Sequence, residues 1–327
     1  MGADVLDPAA AGGLSGGTGR RAPREVLAPP SAADGGEEAL AGAVLSWWAD
    51  ARAARDRLPW RATRDPWAIL VSETMLVQTQ ALRVAARFPE VLDRFPTPAA
   101  LADATTAEVL AWWTGLGYNR RALWLQRAAR RIVDRHEGAV PDDLDDLKAL
   151  PGVGPYTARA VLAFAFGRPV GVVDTNVGRV LARAVAGRRL SLAEAQSRAD
   201  RLVPPARARE WNLALMDLGA LCCRARRPDC PGCPLGDGPC AWRRSGDAED
   251  PGRGSAGTGR AQARFVGSDR QGRGRLVRAA LAGPIPAGAL AETAGWPDDP
   301  VRAARVASGL VAEGLLAGDG AGGLRLP

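Results

Sequence analysis

The chain has 327 residues, 46% of them hydrophobic, with a formal net charge of +7 and a pI near 9.9. That is enough for one large domain or two to three small ones with a full core, and no apolar run reaches the roughly 18 residues of a membrane helix. One histidine, His136, excludes a multi-histidine metal site by count. The start of the chain is acidic, with no basic-then-apolar secretory pattern, so the cytoplasm is the expected compartment. The positive balance suits a polyanionic partner. Nearly all of it is arginine, since Lys148 is the only lysine.

Residues 1–37 are Gly, Ala, Pro and Ser without periodicity and are expected to be disordered. Residues 38–242 carry helical periodicity almost throughout, with segments of 10–15 residues broken by Pro, Gly and Asp. Thr97 and Thr105 read as helix N-caps, with Gly115 and Gly117 as the stop. Residues 243–268 read as a basic linker, and from Arg253 to Arg278 there are seven arginines and one acid, Asp269. Residues 269–327 read as three helices and a short hairpin, a winged-helix-like module.

Three stretches carry chemistry. In "DPWAILVSETMLVQTQ" a continuous helix places Ile69, Glu73, Leu76, Val77 and Gln80 on one face, which makes Glu73 an acid within an apolar stripe. Desolvation raises the pKa of such a carboxyl, as a general acid at neutral pH requires. In "LPGVGPYT" the pair Gly152 and Gly154 opens a turn into a helix, leaving the amides of Gly152, Val153 and Gly154 for an anion such as a DNA phosphate. "VVDTN" follows at once, and Asp174 both N-caps the next helix and ends an apolar run at the edge of a cleft.

The cysteines form the fourth feature. All five lie in "CCRARRPDCPGCPLGDGPC", and Cys223, Cys230, Cys233 and Cys240 are spaced C-x6-C-x2-C-x6-C. Four such thiols in a cytosolic chain point to a metal centre, zinc or [4Fe–4S], which the spacing does not distinguish. Arg224, Arg226 and Arg227 project from the first loop as a basic finger.

With these residues in place, residues 39–242 resemble the helix-hairpin-helix DNA glycosylases, and within them the adenine DNA glycosylase family. The matching motifs run in order: "LPWR", "DPWAILVSETML", "WWTGLGYNRRA", "LPGVGPYTARAV", "VVDTNVGRVLAR", "ALMDLGALCC" and the cysteine loop. The resemblance implies an all-α, two-lobed fold with a [4Fe–4S] cluster on Cys223, Cys230, Cys233 and Cys240. It implies a monofunctional glycosylase that binds duplex DNA as a monomer and excises adenine paired with 8-oxoguanine or guanine. By position, Glu73 protonates adenine, Asp174 stabilises the sugar cation, Asn176 supports that chemistry, and Tyr156 lies near the reacting centre. Trp60 and Arg61 line the adenine pocket, Gln78 and Tyr118 enter the base stack, and Arg121 joins the hairpin's Gly152, Val153 and Gly154 in contacting DNA. Related endonuclease III-type enzymes carry a strand-cleaving lysine where this chain has Tyr156.

The chain also departs from the family. Its last cysteine spacing is x6 where x5 is common, Val77 replaces a glutamine, Leu213 stands where many members have Glu or Gln, and "DTN" replaces "DGN". Nothing after Ser268 matches the family's Nudix-like domain, which reads 8-oxoguanine. The rival enzyme readings are a mismatch thymine or uracil glycosylase and a bifunctional endonuclease III-like enzyme. A non-catalytic helix-hairpin-helix DNA-binding protein is the rival of another class.

Overall fold

The computed structural model describes residues 35–51, 58–236, 238–246, 249–256 and 264–327. The expected disordered tail lies outside the described residues up to residue 34. Among the described residues none of the helices is long and apolar enough to cross a membrane.

Among the described residues the fold is all-α up to the last hairpin, and local chemistry sets where helices begin. Helix α1 (Gly35–Ala51) is followed by a 3-10 turn at Pro59–Arg61 and then α2 (Pro66–Leu76), which Asp65 caps by accepting from the Trp67 amide at 3.0 Å. Next come α3 (Ala81–Arg94), α4 (Pro98–Ala102) and α5 (Thr106–Trp113). Thr97 caps α4, and Thr105 caps α5 in a reciprocal box with Glu108, as the sequence predicts. Helices α6 (Arg120–His136), α7 (Leu144–Ala149) and α8 (Pro155–Phe164) complete this half.

Helix α2 lies in the centre, buried from Trp67 to Glu73, and packs on α3, α6 and α8. The second half comprises α9 (Thr175–Val180), continued by a π-helical turn at Leu181–Ala186, then α10 (Leu192–Leu202), α11 (Ala208–Leu221) and α12 (Ala241–Ser245). Helix α11 packs against α1, α8 and α9, so the chain's first described helix returns to its second half. A fully buried Asp217 on α11 locks this return. It accepts from Trp48 Nε1 of α1 at 2.9 Å and takes both Arg61 nitrogens at 2.7 Å. A buried carboxylate is tolerated there because a bidentate guanidinium and an indole N–H satisfy it.

Residues 269–327 form α13 (Asp269–Ala282), α14 (Leu290–Ala294), α15 (Pro300–Ala312) and a hairpin of β1 (Ala317–Gly318) with β2 (Leu324–Arg325), extended by an Ile285–Leu324 bridge. These three helices pack on each other, and α13 also touches α5.

Part of the stretch expected to be a linker is packed. Pro251, Gly252, Ser255 and Ala256 are buried, and the Ala256 amide donates to the Leu190 carbonyl at 3.0 Å. Ala256 presses on α9 so closely that a Cβ at Gly178 would lie 2.1 Å from its carbonyl oxygen.

The joint between α7 and α8 needs its first glycine for two reasons. Gly152 has φ +78°, and a Cβ there would lie 2.7 Å from the Trp124 Cβ. Gly152→Ala is therefore expected to cost about 1–3 kcal/mol of stability in urea unfolding. Unchanged stability would mean that the joint does not adopt this conformation in solution.

Candidate active site

Glu73 sits in the middle of α2, 5% exposed, with α8 packed across it. Burial is the main reason its carboxyl is pushed from 4.5 up to about 7. A hydrogen bond with the Tyr156 side chain opposes that shift, and the nearby charge of Asp174 adds to it. Tyr156, in the first turn of α8, is itself held far above its ordinary value by burial and by the two carboxyl groups. No basic group contributes to the shift at Glu73, so desolvation goes uncompensated by a cation.

The expected continuous helix face around Glu73 requires a correction. Helix α2 ends at Leu76, Gln78 turns to φ +55°, and Gln80 begins α3 as its N-cap, so Val77 and Gln80 lie off the helix. The cause is Arg121. It is 5% exposed, and its guanidinium donates to the carbonyls of Thr74 and Met75 at 2.8 Å, of Leu116 and Gly117 at 3.2 and 2.9 Å, and to the Thr79 hydroxyl at 2.9 Å. It caps the C-terminal carbonyls of α2 and ties the 76–80 loop to the 114–119 loop. Arg121 is thus a brace beneath the surface, not the DNA contact that its motif implies.

Asp174 reaches the site on a clamped extended segment. Asn212 of α11 accepts from the Val172 amide at 2.8 Å and donates to the Val170 carbonyl at 3.0 Å, while Asp200 accepts from the Gly171 amide at 2.8 Å. At the end of this segment Asp174 caps α9, accepting from the Val177 amide at 2.7 Å and from Asn176 Nδ2 at 3.0 Å. Burial raises its pKa, and these two donors pull the other way.

Asn176 is oriented in turn by Arg179, whose Nη2 donates to Asn176 Oδ1 at 2.9 Å. This contact makes the amide's Nδ2 face Asp174. The same guanidinium donates to the carbonyls of Gly219 at 2.5 Å and Cys223 at 2.6 Å. One arginine therefore joins the Asp174 carboxylate to the base of the cysteine loop.

Arg183, four residues on, is 1% exposed and pairs with both oxygens of Asp250 at 2.6–2.7 Å. It also donates to the Arg224 carbonyl at 2.8 Å and lies 3.4 Å from the Cys223 sulfur. All five cysteines line one pocket with Arg183 and Trp242, and none is joined in a disulfide. Burial pushes the thiols of Cys222, Cys223 and Cys233 up, that of Cys222 to about 11. Among the described residues, however, no group of three such side chains is arranged to hold a metal ion.

The remaining predicted residues divide. Trp60 is buried edge-on against Phe88 with ring centres 5.8 Å apart, and the Arg61 guanidinium is taken up by Asp217. Gly152 and Gly154 are exposed at the hairpin. The Val153 amide is not free for a phosphate as expected, because it closes the turn by donating to the Leu150 carbonyl at 3.1 Å. Gln78 is exposed and Tyr118 half-buried, on the two loops that Arg121 joins. Sequence reasoning missed Asp217, Arg179 and Arg183. Asp217 carried the same signal as Glu73, an acid inside an apolar run, and the two arginines carried helical i, i+4 spacing directly after Asp174.

An all-helical core with a glycine joint between α7 and α8 marks the helix-hairpin-helix class of base-excision enzymes. Residues 71–205 match the HhH-GPD superfamily of base excision DNA repair proteins. The chain is 46% identical over 279 residues to the adenine DNA glycosylase of Mycobacterium tuberculosis, covering 84% of this chain and 88% of that one. The structure of a thermostable thymine-DNA glycosylase aligns with a TM-score of 0.59 and 30% identity, over 64% of this chain and 98% of that one. A trapped covalent endonuclease III–DNA intermediate aligns at 0.54 and 25% identity, over 64% and 97%. The chain belongs to the adenine DNA glycosylase family.

Two outcomes follow from this geometry. A carboxyl whose folded pKa lies above its unfolded value stabilises the fold fully below about pH 4.5, and that contribution is lost as pH rises through about 7. Glu73→Gln should therefore stabilise the protein at pH 8, by on the order of 1–3 kcal/mol in denaturant unfolding, and not at pH 4. Arg179→Gln should slow base release by about tenfold or more while DNA affinity changes little, as read by single-turnover kinetics against binding.

Proposed function

We propose that this enzyme hydrolyses the N-glycosidic bond of adenine mispaired with 8-oxoguanine or guanine in duplex DNA. The observation that carries the reading is Glu73, an acid buried without a cation beside a second carboxyl, Asp174. Releasing a purine requires a proton on the leaving base and negative charge beside the oxocarbenium-like sugar. Glu73 receives one donor, Tyr156, whereas Asp174 receives three, the Asn176 side chain and the amides of Asn176 and Val177, so the shared field favours the proton on Glu73 and the charge on Asp174. Glu73 then delivers its proton to the purine N7. Asp174, held by Asn176 and the Val177 amide, faces the sugar cation. Thymine and uracil offer no equivalent acceptor, which favours adenine over the reaction named for the thymine-DNA glycosylase neighbour.

Tyr156 fills the place where a lysine would attack the sugar, and Lys148 is engaged with Asp145 at the surface of α7. Strand cleavage is accordingly not part of this reading. Gln78 and Tyr118 meet the base stack, and the exposed rim of the hairpin meets a backbone phosphate. Cys223, Cys230, Cys233 and Cys240 suit a [4Fe–4S] cluster, since four soft thiols share one pocket in which burial disfavours thiolates lacking a compensating metal. Bound there, the cluster would cross-link the loop that Arg179 ties to Asp174. The enzyme acts as a monomer in the cytoplasm, at the nucleoid when on DNA, and residues 269–327 take a winged-helix-like role beside the core.

Single-turnover base release from duplexes carrying A opposite 8-oxoguanine, A opposite G and T opposite G tests the assignment. Adenine release revealed as strand breaks only after alkali is expected, with no borohydride-trapped adduct. Release of thymine, or no release with binding intact, would overturn it. Glu73→Gln should lower the rate by at least about 10²-fold, and wild-type activity should fall as pH rises through about 7, where the acid loses its proton.

A further inference from the structure

The two loops that Arg121 ties together do not end at open solvent. Val77, Gln78, Tyr118 and Asn119 form one wall of a groove, and Arg270, Arg273 and Gly274 of α13 form the other. Gln78 and Tyr118, at φ +55° and +48°, are two of the four non-glycine residues with positive φ among those described. Strained residues of this kind persist only where the surroundings hold them, and they cluster at functional sites.

What holds the backbone here is Arg121, through the carbonyls of Leu116 and Gly117 and the Thr79 hydroxyl. What holds the Tyr118 ring comes from the C-terminal module. Arg270 Nη1 donates to the Tyr118 hydroxyl at 2.5 Å, and the Arg270 guanidinium lies 5.5 Å from the Tyr118 ring centre and 5.4 Å from that of Phe265. Arg121 approaches the same ring at 5.6 Å. Two guanidinium groups from different parts of the chain thus approach the Tyr118 ring, and its hydroxyl is bonded to one of them.

The rest of the groove is cationic. Arg83 and Arg278 line it, and Arg120 and Arg273 flank Glu313, its one acid, at 3.8 and 2.6 Å.

We infer that Arg270 is a positioning residue acting through Tyr118: it fixes the ring in the orientation that enters the DNA stack, making residues 269–327 part of the surface that discriminates a mispair. This rests on the reading above that Tyr118 meets the base stack. A side chain already ordered loses less entropy when it inserts, and that gain is realised only where a mispair opens the stack. Arg270 therefore governs selectivity between mispaired and matched DNA rather than general affinity.

The test compares the full chain with Arg270→Ala, Arg270→Lys, Tyr118→Phe and the Arg270→Ala/Tyr118→Phe pair. Affinities are measured for an A·G duplex and an A·T duplex, each carrying 2′-fluoro-2′-deoxyadenosine to prevent base loss. Arg270→Ala and Tyr118→Phe are each expected to reduce the A·G over A·T preference by about three- to tenfold, and the pair by no more than the larger single effect. Arg270→Lys should not restore it, because an ammonium is a point charge without the planar fork that bonds the Tyr118 hydroxyl while lying close to the rings of Tyr118 and Phe265.

Equal weakening on both duplexes, restored by lysine, would mark Arg270 as a plain phosphate contact and overturn the inference. Additive effects of the two changes would do the same. Tyr118→Phe removes one oxygen atom, so the test stays decisive if Arg270→Ala perturbs folding. A wild-type chain that prefers A·G yet shows additive variants overturns only this inference. One with neither preference nor adenine release overturns the glycosylase reading and this with it.

Discussion

The structure turns on an acid whose ionisation the core disfavours. Glu73 occupies the centre of the most buried helix, and desolvation moves its carboxyl to about 7 with no cation offsetting the shift. Among the described residues, the other buried acid and one of the buried arginines carry counter-ions. Asp217 has Arg61 and Trp48, and Arg183 has Asp250. The contrast marks Glu73 as an exception, because a buried acid serving only the fold would carry the same kind of partner.

Around that exception the fold supplies rigidity. Asp174 arrives on a segment held by Asn212 and Asp200 from two helices, and its own helix is bolted through Asn176 and Arg179 to the carbonyls of Gly219 and Cys223. The packed strap at 250–256 covers the far side of that helix and pairs Asp250 with Arg183. Elements far apart in sequence thus converge on one carboxylate, so the cysteine loop and the strap contribute to orienting it as well as to stability.

Arginine does much of this work. Arg121 caps the end of α2 and joins two loops, Arg209 donates to the carbonyls of Arg61 at 2.8 Å and Thr63 at 2.9 Å, and Arg179 and Arg183 brace the cysteine loop. Each uses a planar fork of donors to satisfy several carbonyls at once, which a lysine's point charge does poorly. In a chain with a single lysine, part of the positive balance that suggests a polyanionic partner is therefore spent inside the protein.

Much was legible from the sequence because it depends on near neighbours. The N-caps at Thr97, Thr105 and Asp174, the glycine joint at 152–154 and the helical breaks are set by residues within a turn or two of each other. Glu73 was visible as an acid among apolar residues, and the four cysteines by their spacing. Tertiary structure alone decided where α2 stops, because the donor that caps it, Arg121, lies 46 and 47 positions from the carbonyls it binds and bonds only once α6 has docked. It decided likewise that Arg61 is consumed by Asp217, that residues 250–256 pack as a strap, and that Arg270 meets Tyr118. Composition and periodicity record what a residue is and which face it occupies. They do not record which distant carbonyl or ring will lie within 3 Å of it, since that distance exists only after the chain has closed on itself.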